Sequence, residues 1–179
     1  MSPVTVRVME EGEYPAVRAV QVAAFDDPSI GDLLDALCDS WVFHRDLSFV
    51  AEQDGEVVAH VLYTTALVDA PAQLVEVLVL SPVGVRPDRQ LKGVGSVLIS
   101  ESLAQLQSRP EPAVFLEGNP AYYSRFGFVA GADLGFTKPS VRIPDAAFQV
   151  QKLANWTAEL SGALVYPDAF WRTDSVGLR

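Results

Sequence analysis

The stretch VRPDRQLKGVGSVLISESL, residues 85–103, sits between a valine-rich run and a helical pattern. Upstream, in VLVLSPVGV, Pro82 cannot donate to a sheet ladder and Gly84 weakens a strand. The strand is predicted to splay from its neighbour between Pro82 and Val85, leaving amides that a ligand with its own amides could pair with. Gly93 and Gly95 lack a Cβ, so the loop can take positive φ and a ligand can approach its backbone. The first N–H groups of the helix that follows have no partner within the helix, and its dipole favours an anion there. Arg86, Arg89 and Lys92 add positive charge, with Asp88 as the one local opponent. Together these features suit a pyrophosphate. The P-loop order is absent, because Lys92 precedes Gly93, and Leu98 stands where a dinucleotide fingerprint needs its third glycine. A plain glycine loop with solvated charges stays open at this point.

Working outward, the 179 residues point to a single domain spanning 1–179. With 49% hydrophobic and 20% charged residues, the chain can bury a sizeable core. The net charge of −10 speaks against nucleic acid or an anionic membrane as partner and leans toward a cationic ligand. The lone cysteine, Cys38, excludes an internal disulfide. No apolar run is long enough to span a bilayer, and the N-terminus has no signal pattern, so a cytoplasmic location is expected.

VTVRVM (4–9) alternates as a strand, and residues 13–25 read as a helix. Ile30, Leu33, Leu34 and Leu37 follow the i, i+3, i+4, i+7 pattern of a second helix. Asp54-Gly55 predicts a tight hairpin inside SFVAEQDGEVVAHVLYTTALV. AQLVEVLVL is a fourth strand, and residues 95–107 form a helix with a broad apolar face. PAVFLEG reads as a buried strand, PAYYSRF as a short helix, and FGFVAGAD as a return to strand. GFTKPSVRIPDA is a loop, FQVQKLA a strand, and the tail SGALVYPDAFW is less clear. This order gives an α/β (α+β) domain.

VRPDRQLKGVGSVLI resembles the acetyl-CoA motif of the GCN5-related N-acetyltransferases, matched by Val85, Pro87, Gln90, Gly93 and Gly95. FLEGNPAYYSRFGF resembles a second motif of that superfamily through Tyr123, Gly127 and Phe128. Within it, LSFVAEQDGEVVAHV, AYYSRFGF and SGALVYPDAF are similar to the YhbS-type predicted acetyltransferases. The resemblance implies a mixed, mostly antiparallel sheet flanked by helices, with splayed central strands. It implies acetyl-CoA as co-substrate and no metal. The pantetheine arm would pair around Val83, Gly84 and Val85. The pyrophosphate would lie on the amides of Gln90, Leu91, Lys92, Gly93, Val94, Gly95 and Ser96. Many members carry an asparagine where this chain has Leu116; Asn119 is the nearest substitute for that cofactor contact. Homodimers are common in the superfamily.

Acetyl transfer from a thioester to an amine needs a deprotonated amine, a stabilised oxyanion and a protonated leaving thiol. Tyr123 holds the position that implies the general acid; packing beside Phe126 and Phe128 is the alternative. Glu76 stands where some members place a glutamate that activates the amine, and burial in LVEVLVL would lift its carboxyl into a useful range. A solvent-facing position at the sheet edge is the other reading. His60 reads as a core histidine with its bonds satisfied, and Cys38, on the second helix, is no nucleophile. The expected activity is acetyl transfer to a primary amine of a small molecule or peptide. A non-catalytic acyl-CoA-binding module is the alternative.

Overall fold

β1 (Thr5–Val8) pairs antiparallel with β2 (Ser48–Gln53), and β2 pairs antiparallel with β3 (Glu56–Asp69). Asp54 and Gly55, at φ 56° and 78°, supply the left-handed pair that the predicted hairpin turn requires. The computed structural model describes residues 2–177. They cluster into two units, 2–64 with Ser81–Gln105 and Thr65–Leu80 with 106–177.

The first unit holds this three-stranded ladder, α1 (Tyr14–Phe25), α2 (Ser29–Cys38), the end of β4 (Leu74–Val85) and α3 (Val94–Leu106). Leu33, Leu34 and Leu37 of α2 are buried, as the helical spacing predicts. Arg7 on β1 ties the start of α1 to β2, with Nη2 at 2.7 Å from Glu13 and 2.8 Å from Glu52. Tyr63 is buried edge-on to Phe49 and shares a 2.7 Å hydrogen bond with Ser102 of α3.

A polar chain runs through this apolar interior. Gln21 Nε2 lies 2.8 Å from His60 Nδ1 and donates to the His60 carbonyl at 3.0 Å. His60 Nε2 lies 2.9 Å from Ser48 Oγ, whose hydroxyl donates to Met9 Sδ. With Nδ1 accepting from the amide, Nε2 carries the proton. All three side chains are buried.

Gln21 also explains Gly84. A Cβ at Gly84 would lie 2.6 Å from Gln21 Oε1 and 2.9 Å from Ala24 Cβ. Gln21 is pinned by His60 and has nowhere to swing. Gly84→Ala is therefore expected to cost about 2 kcal/mol, a fall in Tm of about 6 °C by calorimetry. An unshifted Tm would mean that α1 yields freely there.

The second unit holds the first part of β4, β5 (Ala113–Glu117), α4 (Pro120–Tyr123), β6 (Val129–Ala130), β7 (Phe136–Thr137), β8 (Phe148–Lys152), β9 (Gly162–Val165) and α5 (Asp168–Arg172). β4 and β5 run parallel, with Leu78 opposite Val114 and Val79 opposite Phe115. β8 pairs antiparallel with both β5 and β6. β9 pairs antiparallel with residues 67–69 of β3 and parallel with β7. Phe115 anchors the core, edge-on to Phe136 at 4.8 Å and stacked on Phe148 at 5.8 Å.

The fold class is the expected one, mixed α/β with a mostly antiparallel sheet flanked by helices. Some boundaries differ from expectation. β4 stays a strand through Pro82 and Gly84 to Val85. FGFVAGAD gives only the two-residue β6, because the chain turns into a 3-10 segment at Gly131. The loop GFTKPSVRIPDA contributes the short β7, and the unclear tail supplies β9 and α5.

Candidate active site

In the first unit, β4 leads through a 3-10 turn (Pro87–Arg89) into the glycine loop and α3. Arg86 N donates to the Val58 carbonyl at 2.8 Å, and Gln90 Nε2 reaches back to the Val85 carbonyl at 3.0 Å. Gln90 thus fastens the end of β4 to the loop. Leu91 and Gly93 both have positive φ, 59° and 84°. Positive φ at closely spaced residues is a feature of backbone turns whose N–H groups can converge on an anion. Leu91, Lys92 and Gly93 are exposed, and a Cβ at Gly93 would meet nothing within 4 Å. The first α3 hydrogen bond runs from Val97 N to the Gly93 carbonyl, so the N–H groups of Val94, Gly95 and Ser96 precede any i→i−4 partner. The loop has the room and the donors that a pyrophosphate requires.

The charge around this loop is more balanced than the local sequence implies. Arg86 pairs with Glu56 at 2.9 Å as well as with Asp88 at 2.6 Å. Arg89 pairs with Asp54 at 3.3 Å and Asp88 at 3.4 Å. The β2–β3 hairpin brings Glu56 to Arg86 across 30 positions and Asp54 to Arg89 across 35, which local spacing cannot reveal. Lys92 is exposed and donates to the Asp88 carbonyl at 2.8 Å. An anion at this loop would meet backbone donors more than net side-chain charge.

In the second unit, α4 follows directly on β5. Asn119 caps it: its side-chain oxygen accepts from Ala121 N at 2.9 Å. That oxygen is committed to the helix, leaving the amide NH2 as the group able to meet a ligand. Tyr123 is edge-on to Tyr122 at 5.0 Å and to Phe128 at 5.9 Å. Its ring covers Gly118, where a Cβ would come within 2.8 Å of Tyr123 Cδ2. Burial pushes the Tyr123 phenol up to about 12, so it keeps its proton at neutral pH. Arg125 covers the Tyr122 ring at 4.6 Å.

Glu76 stands exposed on β4, without the apolar burial that motivated a basic role for it. His60 is buried and doubly hydrogen-bonded. Burial pushes the Cys38 thiol up to about 12, which leaves it protonated. Among the described residues no cluster of three or more His, Cys, Asp or Glu side chains is placed to hold a metal ion, and no helix is long and apolar enough to cross a membrane.

Two groups escaped the sequence reading. Glu117, at the end of β5, accepts from Tyr166 Oη at 2.9 Å and from Gly177 N at 3.0 Å. Gln21 lies buried behind Gly84. The one signal for Glu117 was an acidic residue closing an apolar strand before a glycine, in FLEG.

Residues 5–131 match the model of the Acetyltransferase (GNAT) domain. The chain is 29% identical over 162 residues to the uncharacterized N-acetyltransferase YjhQ of Escherichia coli, covering 88% of this chain and 89% of that protein. Among solved structures it is similar to the Escherichia coli GNAT family N-acetyltransferase YhbS in complex with CoA. The TM-score is 0.84 at 26% identity, over 96% of each chain. It is also similar to a GNAT family acetyltransferase from Brucella melitensis in complex with acetyl-CoA. Here the TM-score is 0.74 at 29% identity, over 94% of this chain and 98% of the other.

Proposed function

The chain belongs to the GNAT acetyltransferase family, and from that membership we propose that it moves an acetyl group from acetyl-CoA directly to the primary amine of a small molecule or peptide. The observation that carries this reading is the loop from Gln90 to Ser96, with its paired positive φ values and unpartnered first-turn amides. Those amides would hold the pyrophosphate, with Gln90 and Lys92 beside it. The backbone of Val83, Gly84 and Val85 would pair with the pantetheine arm and offer an N–H to the oxyanion. Asn119 would add a side-chain donor. Tyr123, neutral at pH 7, would donate its proton to the leaving sulfur. The protonated Cys38 supports direct transfer over an acyl-enzyme.

Calorimetric titration with acetyl-CoA, repeated on Gly93→Asp, tests the loop. Aspartate at φ 84° is mildly strained, but open space around the position lets the fold survive. Its carboxylate would face the pyrophosphate, and Kd is expected to rise at least about 100-fold, equivalent to about 2.7 kcal/mol. An unchanged Kd would remove the loop from the binding site. Amine-dependent release of CoA thiol by the wild type separates an enzyme from a module that only binds acyl-CoA.

A further inference from the structure

Of the polar side chains of α1, only Gln21 is fully buried. Its amide is used unevenly. The two hydrogens on Nε2 face three acceptors: His60 Nδ1 at 2.8 Å, the His60 carbonyl at 3.0 Å and the Pro82 carbonyl at 3.5 Å. Oε1 is buried and has no partner. An amide oxygen buried without a donor is costly. A side chain placed for its own satisfaction would use both ends, so Gln21 is placed for its donors.

Those donors serve two strands. His60 stands on β3 and Pro82 on β4, its neighbour in the sheet. Proline brings no N–H to a ladder, so a carbonyl beside it must find its donor elsewhere. Gln21 supplies donors from a helix that packs on the sheet.

The same side chain props β4. A Cβ on Gly84 would lie 2.6 Å from Gln21 Oε1 and 3.2 Å from its Cδ, so the amide lies directly against the Gly84 backbone. His60 is fixed in turn by Ser48 Oγ, 2.9 Å from Nε2, which keeps the Gln21 amide from rotating away. The far end of the segment is tied separately: Arg86 N donates to the Val58 carbonyl at 2.8 Å, and Gln90 Nε2 to the Val85 carbonyl at 3.0 Å. Val83, Gly84 and Val85 are thus held between Gln21 and the Gln90 loop.

Resting on the reading that this segment pairs with the pantetheine arm, we propose that Gln21 is a positioning residue for the cofactor. It sets the backbone of Val83, Gly84 and Val85 in the conformation that the arm meets, so a fully buried helix side chain governs acetyl-CoA affinity. A strand segment already fixed in its binding conformation loses little freedom when the ligand arrives, and affinity is higher for it.

This role is separable from stability. Gln21 and His60 belong to one buried polar chain, and the loss of either weakens the fold. They differ in what they do for β4. The His60 ring only steadies Gln21, whereas residue 60 keeps its backbone carbonyl whatever its side chain.

The test is calorimetric titration of the full chain with acetyl-CoA, comparing wild type with Gln21→Met and His60→Gln. Methionine matches glutamine in length and fills the space without a donor. Both variants are expected to lower Tm. Gln21→Met is expected to raise the acetyl-CoA Kd about 10-fold. His60→Gln should leave it within twofold, because Gln21 still meets both backbone carbonyls. A role confined to stability would move neither Kd or both alike, and either result would overturn the proposal. Should Gln21→Met fail to fold, Gln21→Asn replaces it: the amide is kept but falls one methylene short of both carbonyls. The same rise of about 10-fold is expected there, and an unchanged Kd would overturn the proposal. A wild type that does not bind acetyl-CoA overturns the cofactor reading beneath it, so the wild-type titration tells the two failures apart.

Discussion

Lowering the pH from 7.5 to 4.5 is expected to remove about 2.7 kcal/mol of folding stability through His60 alone. The ring is fully buried, and burial pushes its pKa down from 6.5 to about 3. In the unfolded chain the imidazole takes a proton as pH falls through 6.5. In the folded protein it stays neutral, with Nδ1 accepting from Gln21 and burial disfavouring its charged form. The unfolded state therefore binds more protons between pH 6.5 and 3, and stability drops by up to about 1.4 kcal/mol per pH unit across that window. Below pH 3 the loss from this group levels off at about 5 kcal/mol. Glu117 has the opposite sign. Its folded pKa is raised, so it contributes stability at low pH that is lost as pH climbs through its folded value. The measurement is the difference in urea-unfolding free energy between wild type and His60→Gln at each pH, which cancels Glu117. That difference should narrow by about 2.7 kcal/mol between pH 7.5 and 4.5. A constant difference would mean that His60 charges freely in the folded state, and the Gln21–His60–Ser48 chain would need rebuilding.

Features carried by short-range chemistry were legible in the sequence. Asp54-Gly55 named its own turn, because few residue pairs adopt two consecutive positive φ values. The spacing of Leu33, Leu34 and Leu37 named a helix face. Gly93 announced a loop that needs a left-handed residue, although Leu91 takes the same conformation without a glycine to mark it. What stayed hidden depends on residues far apart in the chain. Glu56 meets Arg86 across 30 positions, and Tyr166 meets Glu117 across 49. Gly84 read as a place for a ligand to approach, yet its missing Cβ makes room for Gln21, 63 residues earlier. β9 was hard to read because its partners are the end of β3 and the two-residue β7, so no long alternating pattern was needed to hold it. The acidic candidates divide in the same way. Glu76 looked buried because its neighbours in sequence are apolar, but it lies near the start of β4, where Leu74 is exposed as well. Glu117 gains its burial from Tyr166 and the C-terminal segment, which no local window contains.

Replacing Tyr123 with phenylalanine is expected to lower kcat about 1,000-fold, equivalent to about 4 kcal/mol, while the Kd for acetyl-CoA stays within twofold. The ring does the packing: it lies over Gly118 and edge-on to Tyr122 and Phe128, and phenylalanine keeps each of those contacts. Only the hydroxyl is lost. A phenol held near 12 is a weak acid beside a free thiol, whose ordinary value is about 8.5, so it does not hand over its proton in the ground state. As the C–S bond breaks, charge builds on a sulfur taken out of bulk water, and a neutral donor fixed by packing becomes most effective at that moment. The effect should therefore fall on kcat and spare ground-state binding. An acyl donor with a more acidic leaving thiol, such as an acetyl thioester of an aryl thiol, should recover most of the lost rate, because its thiolate leaves without help. Equal rates for wild type and Tyr123→Phe with acetyl-CoA would assign the tyrosine to packing alone. A large loss that the activated donor does not recover would place its role before C–S cleavage, in orienting the thioester.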